Sequence, residues 1–207
     1  QLVFSPLIGA IAAGNTVVIK PSEHSVNTSK IITEIITTVF DPGHVTVIEG
    51  EVEVAARLLR ERWDYIFFTG SIAVGKIVAK AAAENLTPTT LELGGKNPCI
   101  VDQTANIQMA ARRIVWGKFI NCGQTCIAPD YVLVHKSIKN IFLEQLVKEI
   151  KKSAFSIDNG NYVQIINKRN FERIISLINK EKIYYGGESN IDKLYIQPTI
   201  MTDINFD

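Results

Sequence analysis

Three features of the amino-terminal part of this 207-residue chain predict an α/β fold in which helices cover a parallel sheet. Short apolar, β-branched runs alternate with stretches of helical periodicity, and the connections between them are short. Polar and glycine-bearing residues stand at the ends of the apolar runs rather than inside them. In such folds ligands gather at the carboxyl ends of strands, so the strand ends are where chemistry is expected.

The elements follow in order. Gln1 to Ile19 carry no charge, which is close to the length of a membrane span, yet Pro6, Gly9 and Gly14-Asn15 interrupt them. A helix, a turn and a strand are expected instead. No basic stretch precedes them, so a secretory leader is not indicated. Thr16 to Lys20 reads as a buried strand stopped by Pro21. Ser25 or Asn27 then caps a helix to Phe40, with Ile31, Ile32, Ile35, Ile36 and Val39 as its apolar positions. Val45 to Ile48 is the next strand, Val52 to Arg62 the next helix and Asp64 to Phe68 the third strand. Thr69-Gly70-Ser71 leads from it into a helix running through Ala83.

The texture changes after Thr87-Pro88, where a domain boundary is expected: residues 1–90 form one domain and 91–207 another. Thr90 to Leu93 and Pro98 to Val101 are strand-like, Ile107 to Ile120 helical, and Asn121 to Pro129 a loop with two of the three cysteines. Tyr131 to His135 is a strand, Ile138 to Lys152 and Lys168 to Asn179 are helices, and Tyr184 to Gly187 and Tyr195 to Met201 are strand-like.

The charge is balanced, with 22 Lys and Arg against 21 Asp and Glu, so nothing invites nucleic acid. An odd set of three cysteines in a chain this long argues against a disulfide framework and for a reducing compartment, expected to be the cytoplasm. A prominent thiol therefore calls for an explanation as chemistry or as packing.

Gly70-Ser71-Ile72-Ala73-Val74-Gly75 lies between a strand and a helix, where free backbone N–H groups and the helix dipole favour a phosphate. It matches neither of the common glycine-rich nucleotide motifs, and a simple helix cap is the alternative. Cys126 sits in a glycine-bearing loop, where the backbone amides of Gly123 and Gln124 could approach a thiolate. Cys99 alternates with apolar neighbours and reads as packing. Cys122 and Cys126 lack metal-ligand spacing, and no metal site is expected. His135 leaves a Cys-His hydrolase open. Glu92 is the sole acid of an apolar strand. Burial there would raise its pKa and suit a general base, while a salt bridge to Lys96 is the alternative.

Taken in order, Val18-Ile-Lys-Pro-Ser-Glu23, Phe67-Phe-Thr-Gly-Ser71, Glu92-Leu-Gly-Gly-Lys96 and Gly123-Gln-Thr-Cys126 resemble the NAD(P)-dependent aldehyde dehydrogenases. The stretches Leu91 to Asp102, with Asn97-Pro-Cys-Ile-Val-Asp, and Asn121 to His135, with Cys126-Ile-Ala-Pro-Asp-Tyr-Val-Leu, look most like the class 3 and fatty aldehyde dehydrogenase branch. The resemblance implies a Rossmann-like parallel sheet as cofactor domain followed by an α/β catalytic domain, both incomplete.

It also implies roles. Cys126 would add to an aldehyde carbon, hydride would pass to NAD, with NADP as the other candidate, and Glu92 would activate the water that hydrolyses the thioester. Lys20 and Glu23 would hold the adenosine ribose, Gly70, Ser71, Ile72, Ala73, Val74 and Gly75 would follow the pyrophosphate, and Leu93 and Gly94 would lie near the nicotinamide. An upstream Asn that helps bind the oxyanion and a downstream Glu that orients the nicotinamide ribose, both part of the family pattern, are absent. The chain is therefore expected to be an internal piece of a homodimeric parent, with a membrane anchor in that parent left open. One oxyanion donor is worth ~100-fold or more in rate, so this piece alone is expected to be severely impaired. A CoA-acylating enzyme and a non-catalytic relative are the rival readings. Glu92 speaks against the first, and Cys126 with Glu92 against the second.

Overall fold

The structure, a computed structural model, describes residues 1–205; Phe206 and Asp207, the end of the expected second domain, lie outside the described residues. The chain divides into two compact units, one of residues Gln1–Leu93 and one beginning at Gly94.

In the first unit, the uncharged start forms helix α1 (Phe4–Ala12), which ends at Gly14 with φ +81°, a left-handed turn that glycine makes without steric cost. Strand β1 (Val17–Ile19) follows and pairs in parallel with β2 (Val45–Val47), Val17 lying opposite Val45. Helix α2 (Val26–Val39) crosses between them. Ser25 stands at its N-cap without a side-chain capping bond. Of the five apolar positions expected to pack, Ile32 and Ile36 are buried against Leu7, Ile19 and Val45, whereas Ile31, Ile35 and Val39 are exposed. A helix laid on a two-stranded sheet buries only the centre of its apolar stripe.

Helix α3 (Val52–Leu58) leads to β3 (Ile66–Thr69), and α4 (Ile72–Glu84) connects it to its parallel partner β4 (Thr89–Glu92), with Thr69 opposite Glu92. All these strands are parallel to their partners, but they form two separate two-stranded sheets, β1–β2 and β3–β4, among the described residues. The strands expected to be buried on both faces are also less enclosed. Along β3 half-buried Ile66 and Phe68 alternate with exposed Phe67 and Thr69, the pattern of a strand covered on one face.

In the second unit β5 (Asn97–Val101) pairs in parallel with β6 (Pro129–Val134), and helices α5 (Ile107–Phe119) and α6 (Lys139–Ser153) build the core with them. Val101, Ala111, Val115, Phe142, Leu146 and Ile150 meet there. Phe142, 1% exposed, is the largest fully buried side chain among the described residues, and removing its ring would cost ~3–5 kcal/mol. Helix α7 (Lys168–Ser176) is capped by Asn167, whose side chain accepts from Asn170 N–H at 2.9 Å. It packs Phe171 on Ile165 and Ile196 in a smaller core.

Two short antiparallel pairs complete the unit: β7 (Ile183–Tyr185) with β10 (Ile200–Met201), and β8 (Ser189–Asn190) with β9 (Tyr195–Ile196). The single strand-like piece expected over Tyr195 to Met201 is thus two strands in different sheets. No helix among the described residues is long and apolar enough to cross a membrane.

Candidate active site

At the carboxyl end of β3 the backbone turns through Gly70 and Ser71 into α4. Val74 N–H donates to Ser71 Oγ at 3.3 Å and Gly75 N–H to the Ser71 carbonyl at 2.8 Å, so Ser71 is a genuine cap. The cap uses one orphan amide of the first turn. Those of Ile72 and Ala73 precede the first bond of the helix ladder and point out along its axis, where the dipole favours an anion. Gly70 N–H donates to the Glu92 carbonyl at 3.0 Å, which ties the turn to the end of β4. A Cβ on Gly70 would run into the Phe68 ring, and one on Gly75 would come within 2.8 Å of Leu93 Cδ2. The structure therefore gathers Gly70 to Gly75, Glu92 and Leu93 at one pair of strand ends.

Just past β1, the chain bends round Pro21 and closes an ion pair of Lys20 Nζ with Glu23 Oε2 at 3.0 Å, while the same ammonium donates to the Pro21 carbonyl at 2.9 Å. Hydrogen bonding by its own backbone N–H, followed by the Lys20 ammonium, holds the Glu23 carboxyl below the usual carboxylate range. A Lys and a Glu fixed side by side at a strand end suit the hydroxyls of a ribose.

Two expectations about Glu92 fail. It is exposed rather than buried, because it is the last residue of a strand with one partner and only partial cover. The alternative ion pair with Lys96 is also not what forms, since Lys96 Nζ approaches Asp130 Oδ2 at 3.4 Å.

The thiol loop begins where α5 ends. Asn121, Cys122 and Gly123 take successive left-handed conformations with φ +53°, +55° and +73°. For the two residues with side chains this costs ~1–2 kcal/mol each. The compensation is a set of amide bonds. Asn121 Nδ2 donates to the Gln124 carbonyl at 3.1 Å and Gln124 N–H to the Asn121 carbonyl at 3.1 Å. The Gln124 side chain accepts from Ile166 N–H at 2.9 Å and donates to the Gln164 carbonyl at 3.2 Å. Gln124 thus anchors the loop to a distant segment. Its backbone amide is committed within the turn rather than free to serve the Cys126 thiolate as expected.

The three thiols differ in setting. Cys99 lies half-buried on the same face of β5 as Val101, as expected of packing. Cys122 is half-buried against the Ile165 and Phe171 core, and burial pushes its thiol pKa up, opposed by a hydrogen bond with Tyr162. Tyr162 is itself 5% exposed and sits in a run of aromatic rings with Phe119, Phe155 and Tyr195. Cys126 alone is exposed.

Beneath Cys126 are two residues that were not singled out from the sequence. Asn97 Nδ2 donates to the Cys126 carbonyl at 2.6 Å and to the Ala128 carbonyl at 3.1 Å. A Cβ on Gly95 would collide with that same Cys126 carbonyl oxygen. The adjacent glycines and an Asn placed before Pro98 were the available signals.

His135 is not paired with the thiol. Its Nδ1 accepts from Ser137 N–H at 3.3 Å and lies 2.8 Å from Ser137 Oγ, capping a short turn of helix. Among the described residues no group of three or more His, Cys, Asp or Glu could hold a metal ion. A cavity of about 410 Å³ beside α5 is lined by Arg112, Trp116, Phe119, Asn121 and Glu149 among others, and Cys126 is not part of its wall.

Comparison with known proteins places the chain among relatives. An aldehyde dehydrogenase family 3 member A2 from Pongo abelii is 49% identical over 210 residues, covering 99% of this chain and 42% of the relative. A dimeric NADP-preferring aldehyde dehydrogenase from Canis lupus familiaris is 48% identical over 202 residues, covering 97% of this chain and 45% of the relative. Among solved structures, the substrate-bound state of Staphylococcus aureus AldH superimposes with a TM-score of 0.92 at 48% identity, over 100% of this chain and 46% of that one. The chain thus spans under half the length of these proteins. The model of the aldehyde dehydrogenase family matches residues 1–207, and the chain therefore belongs to the aldehyde dehydrogenase family.

Proposed function

We propose that these residues form the thiol-bearing and dinucleotide-contacting portion of an enzyme that oxidises an aldehyde to a carboxylic acid with NAD(P). The observation that carries this reading is the contrast among the thiols: Cys126 is exposed on a loop whose backbone is held, while Cys99 and Cys122 are half-buried.

The residues present fit a dinucleotide. Lys20 and Glu23 would take the adenosine ribose hydroxyls, and the free amides of Ile72 and Ala73, with Gly70, Ser71, Val74 and Gly75 around them, would face the pyrophosphate. Leu93 and Gly94 would border the nicotinamide. When bound, the cofactor supplies the acceptor for a hydride. Glu23, ionised through the physiological range, disfavours a 2′-phosphate, so NAD is the proposed cofactor. NADP is the second reading, favoured by the preference in the name of the dog relative. That relative is also called dimeric, which supports a homodimeric parent.

In the proposed mechanism Cys126 Sγ attacks the aldehyde carbon to give a thiohemiacetal. Loss of hydride from that carbon leaves a thioester on Cys126. Glu92 then takes a proton from water, the resulting hydroxide adds to the thioester, and collapse releases the carboxylic acid and the free thiol. Glu92 stands exposed at the end of β4, open to water, so its role as base rests on the family resemblance and not on the burial expected for it.

Alkylation of the chain with iodoacetamide, followed by mass spectrometry of each cysteine peptide, tests the reading. Cys126 is expected to react first. Equal, slow reaction of all three thiols would overturn it.

A further inference from the structure

We infer that Asn97 is a positioning residue for the Cys126 thiol, a role that rests on the reading of Cys126 as the nucleophile. At the start of β5 the pairing with β6 shifts: Asn97 lies opposite Pro129, yet the next residue, Pro98, lies opposite Tyr131. One residue of β6 is skipped, and such a bulge re-aims the side chain beside it. Here it is Asn97 whose side chain reaches across to the carbonyls of Cys126 and Ala128, on either side of Ile127.

A single amide nitrogen thus spends both of its protons on the peptide that follows Cys126 and on the one two residues further on. Gly95 closes the arrangement from the other side, because only a residue without Cβ lets its backbone lie against the Cys126 carbonyl. A Cβ there would also approach Asn97 Nδ2 at 2.9 Å, so Gly95, Asn97 and Cys126 form one packed unit. Upstream, Gln124 holds the loop through a different segment, at Ile166. Cys126 therefore sits between two fixed points, exposed together with its neighbours Thr125 and Ile127.

Asn97 makes no claim on the thiol itself. Its bonds go to carbonyl oxygens, so its effect on reactivity runs through the geometry of the backbone. Replacement by Asp keeps the size and removes the donors, leaving an acceptor facing two acceptors. Replacement by Gln keeps the donors on a longer arm.

The test is the rate of iodoacetamide labelling of each cysteine in the full chain, read over a range of pH, in the parent sequence and in Asn97→Asp and Asn97→Gln. The expected result is a drop of about tenfold at Cys126 in Asn97→Asp, with Cys99 and Cys122 unchanged, and partial recovery in Asn97→Gln. A merely structural role gives a different pattern: loosening the fold would speed labelling of the half-buried Cys99 and Cys122, and that result overturns the proposal. Should Asn97→Asp fail to fold, Asn97→Ala removes the donors without adding charge and is read in the same way. Unchanged labelling of Cys126 in a folded variant also overturns it. If the parent chain already labels its three thiols equally and slowly, the nucleophile reading fails first, and the positioning role falls with it.

Discussion

The turn at Gly70–Gly75 and the loop at Asn121–Cys126 both leave a regular element through glycine, yet they are held in opposite ways. The first is placed by backbone topology: a strand ends, a helix begins, Ser71 caps it and the Gly70 amide reaches the Glu92 carbonyl. The second depends on side-chain amides. Asn97, Asn121 and Gln124 all bond to main-chain atoms, and two of these links bridge 29 and 42 residues of sequence. A site for a repeated chemical group such as pyrophosphate can be built from helix geometry alone. A single reactive atom needs its own scaffold.

That contrast can be broken in several places. Cys126→Ala has the largest expected effect: loss of the fast-labelling thiol, and a fall of about a thousandfold or more in any aldehyde oxidation measured. Surviving turnover would remove the thiol from the mechanism.

Gly95→Ala comes next, at about 2–4 kcal/mol in chemical denaturation, because the new Cβ meets a main-chain oxygen that cannot move without the loop. Gly94→Ala is its control. A Cβ there meets nothing within 4 Å, and its midpoint should stay within about 0.5 kcal/mol of the parent. Equal effects at the two glycines would show that the thiol loop is not anchored as described.

Ser71→Ala should cost ~1 kcal/mol through the lost cap, and Gly75→Ala about as little, since the atom it meets is the tip of the Leu93 side chain and can swing away. A loss at Ser71 as large as that at Gly95 would mean that the turn also relies on side-chain scaffolding.

The smallest effect concerns acid. Glu23 has a lowered pKa in the folded chain, so its contribution is fully present above the ordinary value of 4.5 and is lost as pH falls from there through the lowered value. Glu23→Gln should flatten that part of the stability profile. An unchanged acid limb would detach Glu23 from Lys20.

The same contrast explains what could be read from the sequence. Strands ending at Lys20 and Thr69 and the helix opening at Ser71 follow from local patterns of apolar residues, proline and glycine, and the structure has them within a residue or two. The thiol loop was located but not its geometry. Asn is a common left-handed residue, but left-handed Cys122 carries no local signature, and part of what holds the loop is a Gln124 side chain bonded at the distant Ile166. Glu92 misled for a related reason. An apolar strand implies burial only if neighbours flank it, and the number of flanking strands is a property of the assembled sheet rather than of the residues Thr89 to Glu92.

Each sheet among the described residues has only two strands, and each strand therefore presents one side of main-chain donors and acceptors that no other strand among the described residues pairs with. Ile100 at 78% and Leu133 at 45% exposure stand on the β5–β6 pair, and Phe67 at 45% on β3. Such edges are templates for another strand. The solution behaviour of the 207-residue chain should accordingly depend on its concentration: dilute samples stay dispersed, while concentrated ones self-associate through these ladders, with light scattering rising before any loss of helical signal.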